Sequence, residues 1–416
     1  MTMTAIQQST SERLPAYALF AALLAAAGLP LYIHAPKFYV DEYGVSLAAL
    51  GAVLFGLRLL DVVQDPLLGR LSERFRHRRS IAVGIGLFVI ALAMLGLFAV
   101  QPPFSPLIWF AVMLTCVFSA FSFLTINFYA QGVLKADGLP GNGHLRLARW
   151  RETGALLGVC LAAIAPVALG IAMDRPFAGF AVGFAIVALL ALLAMRFEWN
   201  AAHTPPSQGF GVVLKDPLAR RLLLIALLNA APVAVSSTLF LFFVESRLLA
   251  PGMEGPLLLV FFLSAACAAP LWSKLAEAYG PKPVLLFAMV LSIVAFAFVL
   301  ALGAGDIAFF AVICLVSGAA LGADLTLLPA MFATRMAQIA PAASEGFGLW
   351  SFVSKFTLAF AAAILLPALE ASGFRAGPEN PEEALALLTW LYAGVPCVLK
   401  VLSILLLVGT DVKENG

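Results

Sequence analysis

Residues 61–80 read DVVQDPLLGRLSERFRHRRS. Asp61 and Asp65 follow an apolar run, Pro66 comes next, and a dense basic cluster closes the stretch. An ionisable side chain inside an apolar segment is costly, so its presence there points to use rather than accident. A basic cluster at the end of such a segment is the mark that orients a membrane helix.

The rest of the chain bears out the membrane setting. Of its 416 residues 62% are hydrophobic and 12% charged, and the mean hydropathy is +1.00. A soluble domain averages about 45–50% apolar and about 25% charged residues. One globular core cannot hide that excess. A helix needs about 20 apolar residues to cross the hydrocarbon. Twelve runs answer to this, at 14–34, 46–69, 81–100, 106–131, 152–173, 177–197, 218–244, 256–276, 283–303, 307–331, 346–369 and 384–409. Segments of alternating polarity are missing, so the expected fold is an all-α integral membrane bundle, not a barrel. The first run is read as a retained helix rather than a cleaved leader.

Most of the 25 lysines and arginines fall on one side of these spans, among them Arg70, Arg74, Arg76, Arg78, Arg79, Arg220 and Arg221. The other side holds Lys37, Arg175, Arg247 and Arg375. The expected orientation is multi-pass in the cell (inner) membrane with both termini cytoplasmic. The net charge of +2 is then topological and implies no nucleic-acid partner.

The most polar stretch is 198–216, EWNAAHTPPSQGFGVVLKD, whose Pro, Ser and Gly content marks a cytoplasmic linker. It separates an expected N-terminal six-helix bundle, 1–197, from a C-terminal one, 217–416. An internal repeat supports two halves. At an offset of 204 residues Pro66 falls on Pro270, Gly69 on Ser273, Glu73 on Glu277 and Arg78 on Lys282. Parallel repeats of this kind belong to transporters that rock about a central site. Asp61 and Asp65 fall on Ala265 and Ala269, so the scaffold recurs without the carboxylates.

Asp61 and Asp65 share one helix face. Pro66 donates no backbone hydrogen bond, which frees the carbonyl of Val62 on the same stretch. Two carboxylates and a freed carbonyl can begin an oxygen cage for a hard cation such as Na⁺. A proton would also serve, because like charge and desolvation raise one carboxyl pKa. Arg58, one turn before Asp61, allows a plain internal ion pair instead. Asp65 lacks a basic neighbour one turn back and reads as the less compensated charge. Thr125 and Asn127 on the fourth span could add oxygens.

RLLDVVQDPLLG at 58–69 resembles the helix-two signature of the glycoside–pentoside–hexuronide:cation symporters, the melibiose permease family within the major facilitator superfamily. RWRETGALLG at 149–158 is similar to that family's fifth helix, and FVSKFTLAF at 352–360 to its eleventh. The resemblance implies twelve transmembrane helices in two six-helix bundles, a coupling cation at Asp61 and Asp65, and Arg151 and Lys355 beside the solute. It also implies a cytoplasmic latch from Glu73, Arg74, Arg78 and Arg79, with Glu277 and Lys282 as their counterparts. Two departures stand out. The first span, YALFAALLAAAGLPLYIH, has no acid, and Asn127 in TINFYAQG replaces one on the fourth. Asn127 and Gln131 form a polar stripe suited to hydrogen bonding, so a less polar, lipid-like or anionic solute becomes an alternative to a sugar. Lys355 has an alternative partner in Asp324, on GADLTLLP.

The function expected is cation-coupled symport, by Na⁺ or H⁺, of a small organic solute such as a sugar or glycoside. A lipid-like or organic-anion transporter is the alternative, and a receptor or scaffold with a transporter fold is the alternative outside transport. An enzyme is not expected. There is no HExxH, nucleophile elbow or nucleotide loop, and the five cysteines and four histidines show no ligand spacing. No cofactor is expected beyond the coupling ion. The partners are the solute, the cation and the bilayer, and the chain is expected to act as a monomer.

Overall fold

A computed structural model describes residues 13–199, 209–375, 377 and 379–411, and every regular element among them is helical. The first half contains α1 (Leu14–Ala26), α2 (Leu29–Tyr43), α3 (Leu47–Arg74), α4 (Arg79–Phe98), α5 (Pro106–Asp137), α6 (Gly143–Leu169) and α7 (Pro176–Met195). The second contains α8 (Phe210–Lys215), α9 (Pro217–Phe242), α10 (Glu254–Tyr279), α11 (Pro281–Ala297), α12 (Ile307–Ile339), α13 (Ser344–Ala371), α14 (Glu382–Thr389) and α15 (Val395–Val408).

Ten helices among the described residues are long and apolar enough to cross a membrane. One of the twelve expected rods differs for a physical reason. The run at 14–34 is broken, because Gly28 leaves helical geometry and a proline follows two residues later. The run at 46–69 is the continuous 28-residue α3, which carries Arg58, Asp61, Asp65 and Arg70 along its length. Several rods outrun their apolar cores. The 33 residues of α12 reach about 50 Å at 1.5 Å per residue, against a hydrocarbon layer of about 30 Å. The last rod is α14 and α15 joined through a π-helical turn at Trp390–Gly394.

Residues 200–208 of the expected linker lie outside the described residues. The remainder is partly helical as α8, and Asp216 caps α9 by accepting the Ala219 N–H at 2.7 Å. One apolar core is drawn wholly from positions 14–199, another wholly from 235–393. A third joins residues of α5 and α6 to the second half. Leu156 of α6 packs on Ala265, Ala266 and Ala269 of α10.

The halves meet along two seams, α3 with α13 and α10 with α6. Two of the repeat positions, Gly69 and Ser273, sit on them. A Cβ added to Gly69 would come within 3.2 Å of the Ser344 carbonyl oxygen and 3.3 Å of Gly348 Cα. Ser273 Oγ donates to the Leu145 carbonyl at 3.1 Å. These contacts, with Tyr129 against Phe347 (5.0 Å between centroids), gather at the end where α8 lies and reach to mid-depth. At the opposite end α2, α14 and the π-helical turns pack within their own halves. The bundle is therefore shut at the linker end.

Candidate ion and solute site

Pro66 lies inside α3 without breaking it, so Asp61 and Asp65 keep their shared face, and that face meets α13 and α5. Asp61 and Asp65 are 3% and 0% exposed. Lys355, from α13, lies across the seam. Its Nζ is 3.1 Å from each oxygen of Asp65 and 3.6 Å from Asp61 Oδ1. It also donates to Ser122 Oγ on α5 and stands 5.8 Å from the Phe121 ring centroid.

The carboxylates are further held by neutral donors. Ser351 Oγ donates to Asp65 Oδ2 at 2.5 Å, and Gln64 Nε2 to Asp61 Oδ1 at 2.7 Å. Gln64 in turn accepts from Ser119 Oγ at 2.8 Å. The cluster ties three helices from both halves at mid-depth. Buried charges of this kind survive only when paired and hydrogen-bonded.

This arrangement revises several expectations. Asp65 is the more directly compensated aspartate, by a lysine 290 positions away, while Arg58 acts on Asp61 electrostatically. The proposed Lys355–Asp324 bridge does not form. Asp324 pairs with Lys400 of α15, whose Nζ also donates to Asn229 Oδ1 at 2.6 Å. From α5 it is Ser119 and Ser122, one to two turns before the expected residues, that join the cluster, Ser119 through Gln64 and Ser122 through Lys355. Asn127 instead accepts from Ser72 Oγ at 2.8 Å, and Thr125 Oγ1 is buried without a hydrogen-bond partner.

The other expected solute residues are also engaged. Gln131 Oε1 accepts from Arg79 Nη1 at 3.1 Å. Arg151 Nε donates to Glu152 Oε1 at 2.7 Å, its guanidinium covers the Tyr129 ring at 3.9 Å, and its Nη2 is buried without a partner. Glu152 also accepts from the Tyr129 hydroxyl at 3.2 Å. Asn127, Gln131 and Arg151 are thus bonded to protein partners other than Lys355.

Among the latch residues Arg79 crosses between halves. It is 2% exposed, and its Nη2 donates to Ser344 Oγ at 3.3 Å. Glu277 approaches Arg149 across the second seam at 4.0 Å. Glu73 binds Arg76 at 3.2 Å on its own side, and Arg74 and Arg78 are exposed. Lys282 donates to the carbonyls of Val408 and Thr410 at 3.1 and 2.8 Å, closing the end of α15 rather than a seam.

The serines and Gln64 went unread in the sequence because neutral donors in membrane helices are common and carry no periodic signal. Gln64 does lie between the two aspartates, and Glu152 directly follows Arg151, so their positions were open to a search for polar neighbours. Among the described residues no three His, Cys, Asp or Glu converge as a metal centre.

Comparison with known proteins agrees with this architecture. The family described as MFS/sugar transport protein matches residues 15–414. No curated relative matches by sequence. A crystal structure of a bacterial homologue of the iron transporter ferroportin, in an outward-facing state, superposes with a TM-score of 0.68 at 15% identity. It covers 95% of this chain and 98% of that one. The same homologue with soaked iron aligns at 0.68 and 14% identity over equal shares. At such identities the likeness is one of fold.

Proposed function

The chain belongs to the MFS/sugar transport protein family, and on that premise we propose that it is a cation-coupled symporter of a small organic solute. It works by alternating access, with Asp61 and Asp65 taking the coupling Na⁺ or H⁺. The observation that carries this reading is the Lys355 ammonium seated between the two carboxylates across the α3–α13 seam. A tethered cation there does two things at once. It neutralises charge, and it holds the linker end shut.

An exchangeable cation binding the same carboxylates competes with Lys355. Its binding weakens the link across the seam and lets the halves rock, while its departure lets Lys355 return. Coupling then follows from one pair of carboxylates serving two cations in turn. With the basic end in the cytoplasm, the closed linker end faces the cytoplasm, and the termini are cytoplasmic in the inner membrane. The sugar or glycoside class is supported by the family description and by the resemblance of RLLDVVQDPLLG to the melibiose permeases.

Thermal unfolding of the purified protein in NaCl against choline chloride, and across pH, tests the cation site without knowledge of the solute. Na⁺ or acid should stabilise the wild type, and Asp65→Asn should abolish that response while remaining folded. If Asp65→Asn keeps the full cation response, the carboxylates are structural. Uptake of labelled melibiose into proteoliposomes under an imposed Na⁺ or proton gradient separates a transporter from a receptor of the same fold.

A further inference from the structure

In the second half, Asp324 and Lys400 form a buried ion pair, 7% and 3% exposed, and both line a cavity of about 50 Å³ between α9, α11, α12 and α15. Ser236, Ser292, Ser317 and Cys397 line it too. The pair has no counterpart in the repeat, where Asp324 falls on Ala120 and Lys400 on Arg196. A scaffold gains little from such a pair, since apolar residues of similar volume fill the same place at equal or lower cost. Its hydrogen bonding is also incomplete. Asp324 Oδ1 is buried without a partner. Lys400 has three N–H donors, and its bonded partners are Asn229 and Asp324.

We infer that this cavity is a solute subsite for the hydroxyl groups of a small uncharged molecule. The pair is net neutral, so a charged ligand would leave one charge uncompensated. Asp324 keeps an unused acceptor in its buried Oδ1 and Lys400 an unused N–H, on two cavity-lining groups already in contact. A hydroxyl donates to the first and accepts from the second through one oxygen atom. The serines extend the pattern to further hydroxyls, and Phe261 and Phe296 cover the carbon skeleton. The volume of about 50 Å³ holds about three to five waters at roughly 10–15 Å³ each, which suits a triol. By contrast Asn127, Gln131 and Lys355 spend their polar groups on protein partners. The subsite rests on the chain being a solute transporter, but not on the cation role of Asp65.

Cys397, half-buried in the cavity wall, is a native reporter. The full chain is treated with N-ethylmaleimide, alone or with glycerol, 1-propanol or β-alanine, and adducts are assigned by peptide mass spectrometry. Glycerol should slow modification of Cys397 about threefold at roughly twice its dissociation constant, while the exposed Cys267 reacts unchanged. Propanol and β-alanine should not protect. Asp324→Leu/Lys400→Met removes both charges together, leaves no orphaned ion, and should abolish the protection. Asp65→Asn should retain it, which separates this site from the coupling site. Protection by propanol equal to that by glycerol, by β-alanine alone, or unchanged in the double variant overturns the inference, as does no protection by glycerol.

Discussion

Lys355→Met is the sharpest perturbation of the coupling cluster. It keeps the length of the side chain and removes the ammonium that sits 3.1 Å from Asp65 and 3.6 Å from Asp61. At an effective dielectric of about 20, a unit pair at these separations attracts by roughly 5 kcal/mol before desolvation. Removing one partner of a buried pair costs about 3–5 kcal/mol, because the other charge stays behind. Two carboxylates would then face each other with Ser351 and Gln64 as neutral donors. They should recruit Na⁺ or a proton more tightly than in the wild type, where Lys355 competes. A gain of about 3 kcal/mol in cation binding corresponds to roughly a hundredfold lower dissociation constant. Cation titrations followed by thermal unfolding would read it. Asp65→Asn in the Lys355→Met background should recover part of the lost stability and cancel the gain in affinity. If Lys355→Met binds Na⁺ and protons no more tightly than wild type, Lys355 does not compete for the carboxylates. Additive effects of the two substitutions on stability would refute their direct coupling.

Gly69→Val should wedge the α3–α13 seam, because even the Cβ meets the Ser344 oxygen and Gly348 Cα at 3.2–3.3 Å and backbone cannot yield as a side chain would; overpacking of this kind costs about 1–3 kcal/mol. Spin labels at Arg74→Cys and Lys282→Cys should then report a wider separation at the linker end. Asp324→Asn should destabilise by about 3–5 kcal/mol by stranding Lys400, and adding Lys400→Met should restore most of it in a melting curve. Lys355→Ala, in contrast, should gain nothing from Asp324→Ala. Outside the spans, hydrogen bonding from Arg335, chiefly, holds the Asp216 carboxyl below the usual carboxylate range, with the Ala219 N–H contributing. That stabilisation is present above the unfolded carboxylate pKa and is lost as pH falls through the lower folded value. Asp216→Asn should therefore narrow the stability difference from wild type at acid pH, as read by calorimetry.

The membrane fold was legible because hydrophobic runs are additive along the chain. A span such as 81–100 needs no knowledge of its neighbours, and α4 at Arg79–Phe98 differs from it by two residues at each end. Local backbone chemistry was only partly legible. Pro66 and Gly28 each signal a helix defect, yet α3 runs through its proline while the first rod breaks at Gly28, where the backbone leaves helical geometry just before Pro30.

By itself the sequence determined that the chain is helical and membrane-spanning, that Asp61 and Asp65 share a face, and that the scaffold around Pro66 recurs at Pro270 without the carboxylates. Those statements depend on composition and on separations of a few residues, where helix geometry sets the neighbours. Only the tertiary structure decided who neutralises whom. Lys355 could meet Asp61 and Asp65 or Asp324, and its helix was equally apolar in either case. The choice lies in the rotation of α13 about its axis, which brings Gly348, Ser351 and Lys355 onto α3. The close approach at Gly69 and Gly348 holds that face against the aspartates, and leaves Asp324 to Lys400. Pairings 290 and 76 positions apart are products of packing, and no local pattern encodes them.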